Sequence, residues 1–446
     1  MDEYKNYKND EEKIEDEYRF VKQVIKKKSK RPKDVLIRLA CIVGGAILFG
    51  VVAAFVFVRF LPVFQPEKEA AADPIEFEED TPQEVQPAKN KNIDATVTPS
   101  PTPEADSEVG EDSVTVPEVT VPESPITEYT KMYDEMKMVA QNAMRAVVTV
   151  TGITTTEDWF QVHSESTKQS SGVIVANSNG DLYILTEYSA VESVERVVIT
   201  FNNGAIADGR YQMHDPNTGL TVLKVAVDDL ETETKANMAV AKLGNSFTVS
   251  QGEAVIAIGS PMGYSSSVVY GQITSTTNTL SLYDKQYHIF TTNMLGNEEG
   301  SGIIINLKGE VVSVMSQGAR TEDLKNIIVG LPISQLKPLI ENLSNGKPVA
   351  SIGIKGQNVT DEVANQTGMP KGVYVTSMKS DSPAFVSGIK NGDIIVKYND
   401  ISVENMVQYA ECLSDTNPGA IAELTVMRMS SEGYREFTFK VVTETR

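Results

Sequence analysis

Residues Thr291–Val311 read TTNMLGNEEGSGIIINLKGEV. The run GIIIN is β-prone, and NLKGE, with its Asn and Gly, is a turn that leads into EVVSVMS. The same grammar extends toward the N-terminus through AVVTVTG, SSGVIVANSNGDLYILT, RVVITFNNG, LTVLKVAV, EAVIAIGSPMG, SVVYGQITSTT and HIFTTN, punctuated by NNG and DPNTG. Short strands at regular spacing with turn chemistry between them point to an all-β barrel or sandwich. Apolar residues at Met132, Met136, Val139 and Ala143 predict an amphipathic helix over Glu128–Met144 ahead of the strands. Leu336–Leu343 reads as a closing helix.

Beyond NGKPVAS the pattern changes. Strands are expected at Ile352–Ile354, Val373–Met378, Asp393–Tyr398, Ala422–Met427 and Glu436–Val442. They alternate with helices at Asp361–Gln366, Pro383–Ser387 and Val403–Leu413, which makes a smaller α+β unit.

The chain has 446 residues and a formal net charge of −21, which argues against nucleic acid as a partner, since a phosphate-binding surface is basic. Its two cysteines, Cys41 and Cys412, do not suggest a disulfide. Leu39–Val58 is a run of 20 residues without a charge, long enough to span a hydrocarbon core of about 30 Å. KKKSKRPK at Lys26–Lys33 precedes it, so the basic excess predicts an N-in, C-out transmembrane helix. A cleaved signal peptide fits less well, because the basic cluster begins 25 residues in and no convincing small-x-small cleavage site precedes Pro62. Pro66–Pro125 carries 16 acidic and three basic side chains and half of the chain's 20 prolines. Such a segment buries too little apolar surface to offset its ordering entropy and reads as an extended, disordered acidic stalk. The expected organisation is a cytoplasmic tail (1–34), a transmembrane helix (35–60), the stalk (61–125), a β domain (126–346) and the α+β unit (347–446). Anchor and stalk fit the outer face of a bacterial plasma membrane.

From Met136 to Arg446 the chain resembles the HtrA/DegP family of exported or membrane-anchored serine proteases. The resemblance rests on KLGNSFTVSQGEAVIAIGSPMG (Lys242–Gly263), VVYGQITS (Val268–Ser275) and INLKGEVVSVMS (Ile305–Ser316), in the family's order and spacing. GVYVTSMKSDSPAFVSGIKNGDIIVKYNDISV resembles a PDZ domain. It implies a mainly β fold, a trypsin-like double β-barrel followed by a C-terminal α+β PDZ domain. It also implies a homotrimer, or mixed oligomers with an active paralogue.

A serine protease needs a base within reach of the serine hydroxyl, an acid to orient that base, and backbone N–H donors around the oxyanion. Where the family has TNNHVV this chain has TEYSAV, so Ser189 stands at the base position. DPRSDIALI becomes DPNTGLTVL, with Gly219 at the orienting acid. Counting back from NLKGE, GNSGGPL becomes EEGSGII, with Gly300 at the nucleophile. A one-residue slip would restore Ser301 as a fallback nucleophile but no base with it. The three histidines, His163, His214 and His288, read as ordinary surface or strand residues. Glu298 and Glu299 replace the glycine-rich oxyanion turn and would oppose the charge that develops there. The resemblance therefore implies a catalytically degenerate member, a pseudoprotease. The alternative is an exported serine endopeptidase with a non-standard site at Ser301.

Without CxxC, HExxH or a P-loop lysine, no metal and no cofactor is expected. The PDZ resemblance implies capture of C-terminal or unfolded peptide segments, in the manner of a scaffold, holdase or regulator in envelope protein quality control. An apolar-Gly-apolar loop lets consecutive amides converge on a carboxylate. SIGI (Ser351, Ile352, Gly353, Ile354) supplies that loop, with Lys347 and Lys355 nearby. Met406, Tyr409 and Ala410 on the following helix are the candidate pocket residues.

Overall fold

The computed structural model describes residues 73–81, 125–157, 163–319 and 322–446. The expected tail, the expected transmembrane helix and most of the expected stalk lie outside the described residues. Among the described residues no helix is long and apolar enough to cross a membrane.

Helix α1 (Pro125–Met144) leads into six strands: β1 (Val147–Glu157), β2 (His163–Ser178), β3 (Asp181–Glu187), β4 (Arg196–Thr200), β5 (Ile206–His214) and β6 (Leu220–Ala226). They close into a barrel in the order β1-β2-β3-β6-β5-β4. A short helix α2 (Thr232–Asn237) connects to β7 (Ala254–Ser260), β8 (Ser267–Leu282), β9 (Lys285–Leu295), β10 (Ser301–Asn306), β11 (Val311–Met315) and β12 (Ile327–Pro332). These close in the order β7-β8-β9-β12-β11-β10, so the second barrel repeats the first strand for strand. This decides between the barrel and the sandwich left open by the strand pattern.

Each barrel has its own apolar interior: Val150, Ile174, Ile184 and Leu223 in the first, Val255, Phe290, Ile304 and Ile328 in the second. A third cluster, including Leu185, Leu220, Ile256, Ile303 and Leu331, packs where the barrels meet. Helix α3 (Ile333–Ser344) covers it with Leu336, Leu339, Ile340 and Leu343.

Nine residues inside the expected stalk depart from that reading. Asp73–Thr81 runs along α3. Ile75 is buried and exchanges hydrogen bonds with the Asn345 amide, its N–H to Oδ1 at 2.9 Å and its carbonyl from Nδ2 at 2.8 Å. The Phe77 N–H donates to Glu341. The Lys337 ammonium, nearly buried, pairs with Asp80 at 2.7 Å and donates to the Glu78 carbonyl at 3.0 Å. The partners 337, 341 and 345 lie one helical turn apart on a single face. Asp73–Thr81 packs through its two alternating apolar residues, Ile75 and Phe77.

The C-terminal unit forms a sheet in the order β14 (Ile354–Asn358), β15 (Val373–Met378), β16 (Ile394–Tyr398), β18 (Ile421–Ser430) and β19 (Gly433–Val442), with β17 (Ile401–Ser402) paired to β16. A two-stranded pair joins β13 (Ala350–Ser351) to β20 (Glu444–Thr445). Helices α4 (Asp361–Thr367), α5 (Pro383–Ser387) and α6 (Met406–Ser414) complete the unit. Two of the boundaries that differ from expectation lie beside the candidate peptide site. The first sheet strand starts at Ile354 because Ile352 and Gly353 form a loop. Helix α6 starts at Met406, not Val403, because Asn405 is its N-cap, its side-chain oxygen accepting from the N–H groups of Val407 and Gln408.

Arg446 ties this unit to the first barrel. Its guanidinium Nε lies 2.8 Å from Asp215 Oδ1 with both side chains buried. The N–H points off the line between them, so the contact is an ion pair without a formed hydrogen bond.

Candidate functional site

The positions expected for base, acid and nucleophile, Ser189, Gly219 and Gly300, lie where the barrels meet. Ser189 lies in the single turn Tyr188–Ala190 that follows β3, and its Oγ donates to Gln317 Oε1 at 3.1 Å. The Gln317 amide in turn donates to the Glu299 carbonyl at 3.2 Å, and its backbone N–H donates to the buried Glu187 carboxylate at 2.9 Å. Gly219 faces them: the Tyr188 N–H donates to its carbonyl at 2.7 Å. The web Glu187–Gln317–Ser189 thus fills the ground of the expected triad, and its hydroxyl donates where a base must accept.

Gly219 is held at φ 72° by the turn before it, in which the Asp215 carboxylate accepts from the Thr218 N–H at 3.0 Å and hydroxyl at 2.7 Å. A Cβ at Gly219 would lie 3.6 Å from Glu187 Oε2. An aspartate there would bring a second carboxylate against a buried one, and like charges at that range oppose each other's ionisation.

The nucleophile turn is closed in a different way. The Gly300 N–H donates to the Asn297 carbonyl at 3.1 Å within a tight turn, which Asn297 ties to the Met262 carbonyl at 3.1 Å. Ser301 opens β10 opposite Ser260 of β7 and is 1% exposed. Its Oγ accepts the Ser171 N–H at 2.9 Å. The cavity lined by Ser171, Glu187, Leu220, Ser301 and Met315 measures about 10 Å³, scarcely the room of one water. His214 stacks on Tyr188 with ring centres 3.8 Å apart, and its Nδ1 lies 2.7 Å from the Tyr211 hydroxyl. His288 is exposed on β9, and the side chain of His163 lies outside the described residues. Among the described residues, no imidazole is hydrogen-bonded to Ser301, and no cluster of three or more His, Cys, Asp or Glu could hold a metal.

The second candidate site is the Ser351–Ile354 loop. Gly353, at φ 84°, turns three successive amides toward one point. That point is occupied by Asp284, the second residue of the two-residue turn between β8 and β9. Its Oδ2 accepts from Ile352 N at 2.9 Å, Gly353 N at 2.8 Å and Ser351 Oγ at 2.7 Å; its Oδ1 accepts from Ile354 N at 3.1 Å and the Tyr409 hydroxyl at 3.0 Å. Burial and the Asp284 carboxylate push the Tyr409 phenol well above its ordinary range, which keeps it a donor. The Asp284 N–H donates to the Ile354 carbonyl at the edge of β14. Lys355 places its ammonium 4.7 Å from the centre of the Tyr283 ring.

Of the other candidate pocket residues, Met406 is buried in the core of the unit and Ala410 is half-buried. Glu187, Gln317 and Asp284 were not singled out from the sequence. Asp284 carries a local signal, an acidic residue suited to left-handed backbone in a two-residue hairpin turn. That signal predicts the turn and is silent about the loop about 70 residues away.

Known proteins agree with this architecture. Residues 170–314 match the trypsin-like peptidase domain family, and residues 350–441 match the PDZ domain family. A probable periplasmic serine endoprotease DegP-like protein of Halomonas elongata is 30% identical over 274 residues, covering 60% of this chain and 56% of that protein. The serine protease Do-like HtrB of Bacillus subtilis is 27% identical over 277 residues, covering 58% and 59%. The chain thus spans somewhat over half the length of these relatives. The solved HtrA-type protease AlgW with decapeptide superposes with a TM-score of 0.51 at 18% identity, covering 70% of this chain and 98% of that one, which shows the fold alone.

Proposed function

We propose, from the premise that the chain belongs to the HtrA/DegP-like family, that it is a membrane-anchored, extracytoplasmic pseudoprotease that captures C-terminal or unfolded peptide segments through its PDZ domain. It acts on this reading as a scaffold, holdase or regulator of exported proteins, alone or in oligomers with an active relative. The observation that carries it is the state of the cleft. Ser189 donates to Gln317, Gly219 has no side chain, and the nearby Ser301 hydroxyl oxygen is buried against the Ser171 amide. A nucleophile without a base to take its proton and without room for a peptide carbonyl has no route to acyl transfer.

Capture is supported by the amide nest at Ser351–Ile354, which suits a carboxylate. The catalytic arm is tested with a fluorophosphonate probe and unfolded casein. Wild type is expected neither to label nor to turn over; labelling that vanishes in Ser301→Ala would identify an endopeptidase built on Ser301. The binding arm is tested with paired peptides, free and amidated at the C-terminus; equal affinity for the two would remove the carboxylate from recognition. The anchor is tested by adding protease to intact spheroplasts, where protection of the PDZ domain until lysis would reverse the topology.

A further inference from the structure

We infer that the hairpin turn Tyr283–Asp284 is a built-in stand-in for a peptide C-terminus, and that a free C-terminal carboxylate enters the PDZ nest only by displacing it. The inference rests on the peptide-capture reading and adds its regulation.

The turn reproduces the contacts of a bound chain end. The Asp284 carboxylate takes three consecutive amides and two hydroxyls, at 2.7–3.1 Å. Its backbone N–H donates to the Ile354 carbonyl, as an added strand does at a sheet edge. The Tyr283 side chain lies under Lys355. Asp284 is 2% exposed, so the nest is filled from within the chain.

Occupancy by one carboxylate excludes another. The donors all address Asp284, and a second carboxylate beside it would meet like charge in a buried place. Displacement is nonetheless balanced in kind. The turn is held by polar contacts, among them the Asn217 amide donating to the Tyr283 carbonyl at 2.8 Å, and not by a buried apolar plug. An incoming carboxylate replaces the nest bonds one for one. The resident group keeps the advantage of being tethered, an effective concentration on the order of millimolar. Ligands of ordinary affinity are therefore excluded, and only an end that adds side-chain contacts along β14 and α6 displaces the turn.

The test uses the full chain in detergent and a pool of fluorescent decapeptides of random sequence with free C-terminal carboxylates, beside the same pool amidated, read by polarisation. Asp284→Ala is expected to tighten the apparent Kd for the free pool at least tenfold and to leave the amidated pool unchanged. Equal affinity of wild type and a folded Asp284→Ala for the free pool would overturn the inference and leave peptide capture standing. Binding by neither would end both. A second measurement needs no variant. Hydrogen exchange on wild type without peptide is expected to find the amides of Ile352, Gly353 and Ile354 strongly protected. Exchange at the rate of open loops would show an empty nest and overturn the inference.

Discussion

The cleft between the barrels and the loop at Ser351–Ile354 use their backbone amides in different ways. In the cleft, the Gly300 amide closes a turn on Asn297, Glu298 and Glu299 stand where glycine is needed, and Ser301 braces Ser171. In the loop, three amides still converge on a carboxylate. The demands of the two sites differ. Acyl transfer needs a base, an acid and a nucleophile in mutual register, so losing one side chain disables it. A nest needs little more than one residue able to hold positive φ, and Gly353 remains. On the proposed reading the cleft keeps a structural role: Asp215, four residues ahead of Gly219, pairs with Arg446 of the PDZ unit.

That contrast can be broken from either side. The largest effect is expected at the ion pair. Asp215→Ala strands a buried guanidinium, which costs about 3–5 kcal/mol and should appear as a lowered denaturant midpoint. An unchanged midpoint would deny the cleft its structural role. Next comes the nest. At Gly353 a Cβ would lie 2.5 Å from Ser382 Cβ, so Gly353→Glu both distorts the loop and adds negative charge. Affinity for free C-termini should fall about a hundredfold, or about 2.7 kcal/mol. Ser301→Ala is the middle case. It should change no catalytic readout yet lower stability by about 1–3 kcal/mol, because the buried Ser171 N–H loses its acceptor. A loss of casein turnover in that variant would reverse the comparison.

The smallest effect concerns Lys285, which adjoins Asp284. Burial, and then the charge of Arg446, lowers its ammonium from the ordinary 10.5 to about 8. With the folded value below the unfolded one, the unfolded chain binds more protons between about 8 and 10.5, so this group makes stability rise with pH across that window. Lys285→Met should be more stable than wild type below pH 8, with the gap narrowing toward pH 10.5. Parallel stability curves would place that ammonium in water.

Much of the fold is legible in residues whose signals are local. Most strands from Val147 to Met315 announce themselves by β-prone runs and Asn/Gly turns, and the PDZ unit by its alternation of short strands and helices; β5, whose IADGRYQMH is largely polar, and β12 escape that reading. Ser189, Gly219 and Gly300 are assigned to base, acid and nucleophile only through the long motifs that flank them, as the resemblance implies. Other features depend on distant partners. Gln317 matters only because folding carries it to Ser189, 128 residues away in sequence, and Asp284 only because it meets Gly353. Asp73–Thr81 was hidden for a different reason: averaged over an acidic, proline-rich segment, the alternation of Ile75 and Phe77 disappears.

That segment changes what a cut in the chain means. Residues 82–124 join it to α1, and a break anywhere among them leaves two pieces without a covalent link. The pieces still meet at α3, through Ile75, Phe77 and the Asp80–Lys337 pair. While the chain is whole, its own length keeps the segment at high effective concentration over the helix. Once nicked, the two fragments obey ordinary mass action. A nicked sample should run as two bands under denaturing conditions, elute as one species when concentrated, and come apart on dilution.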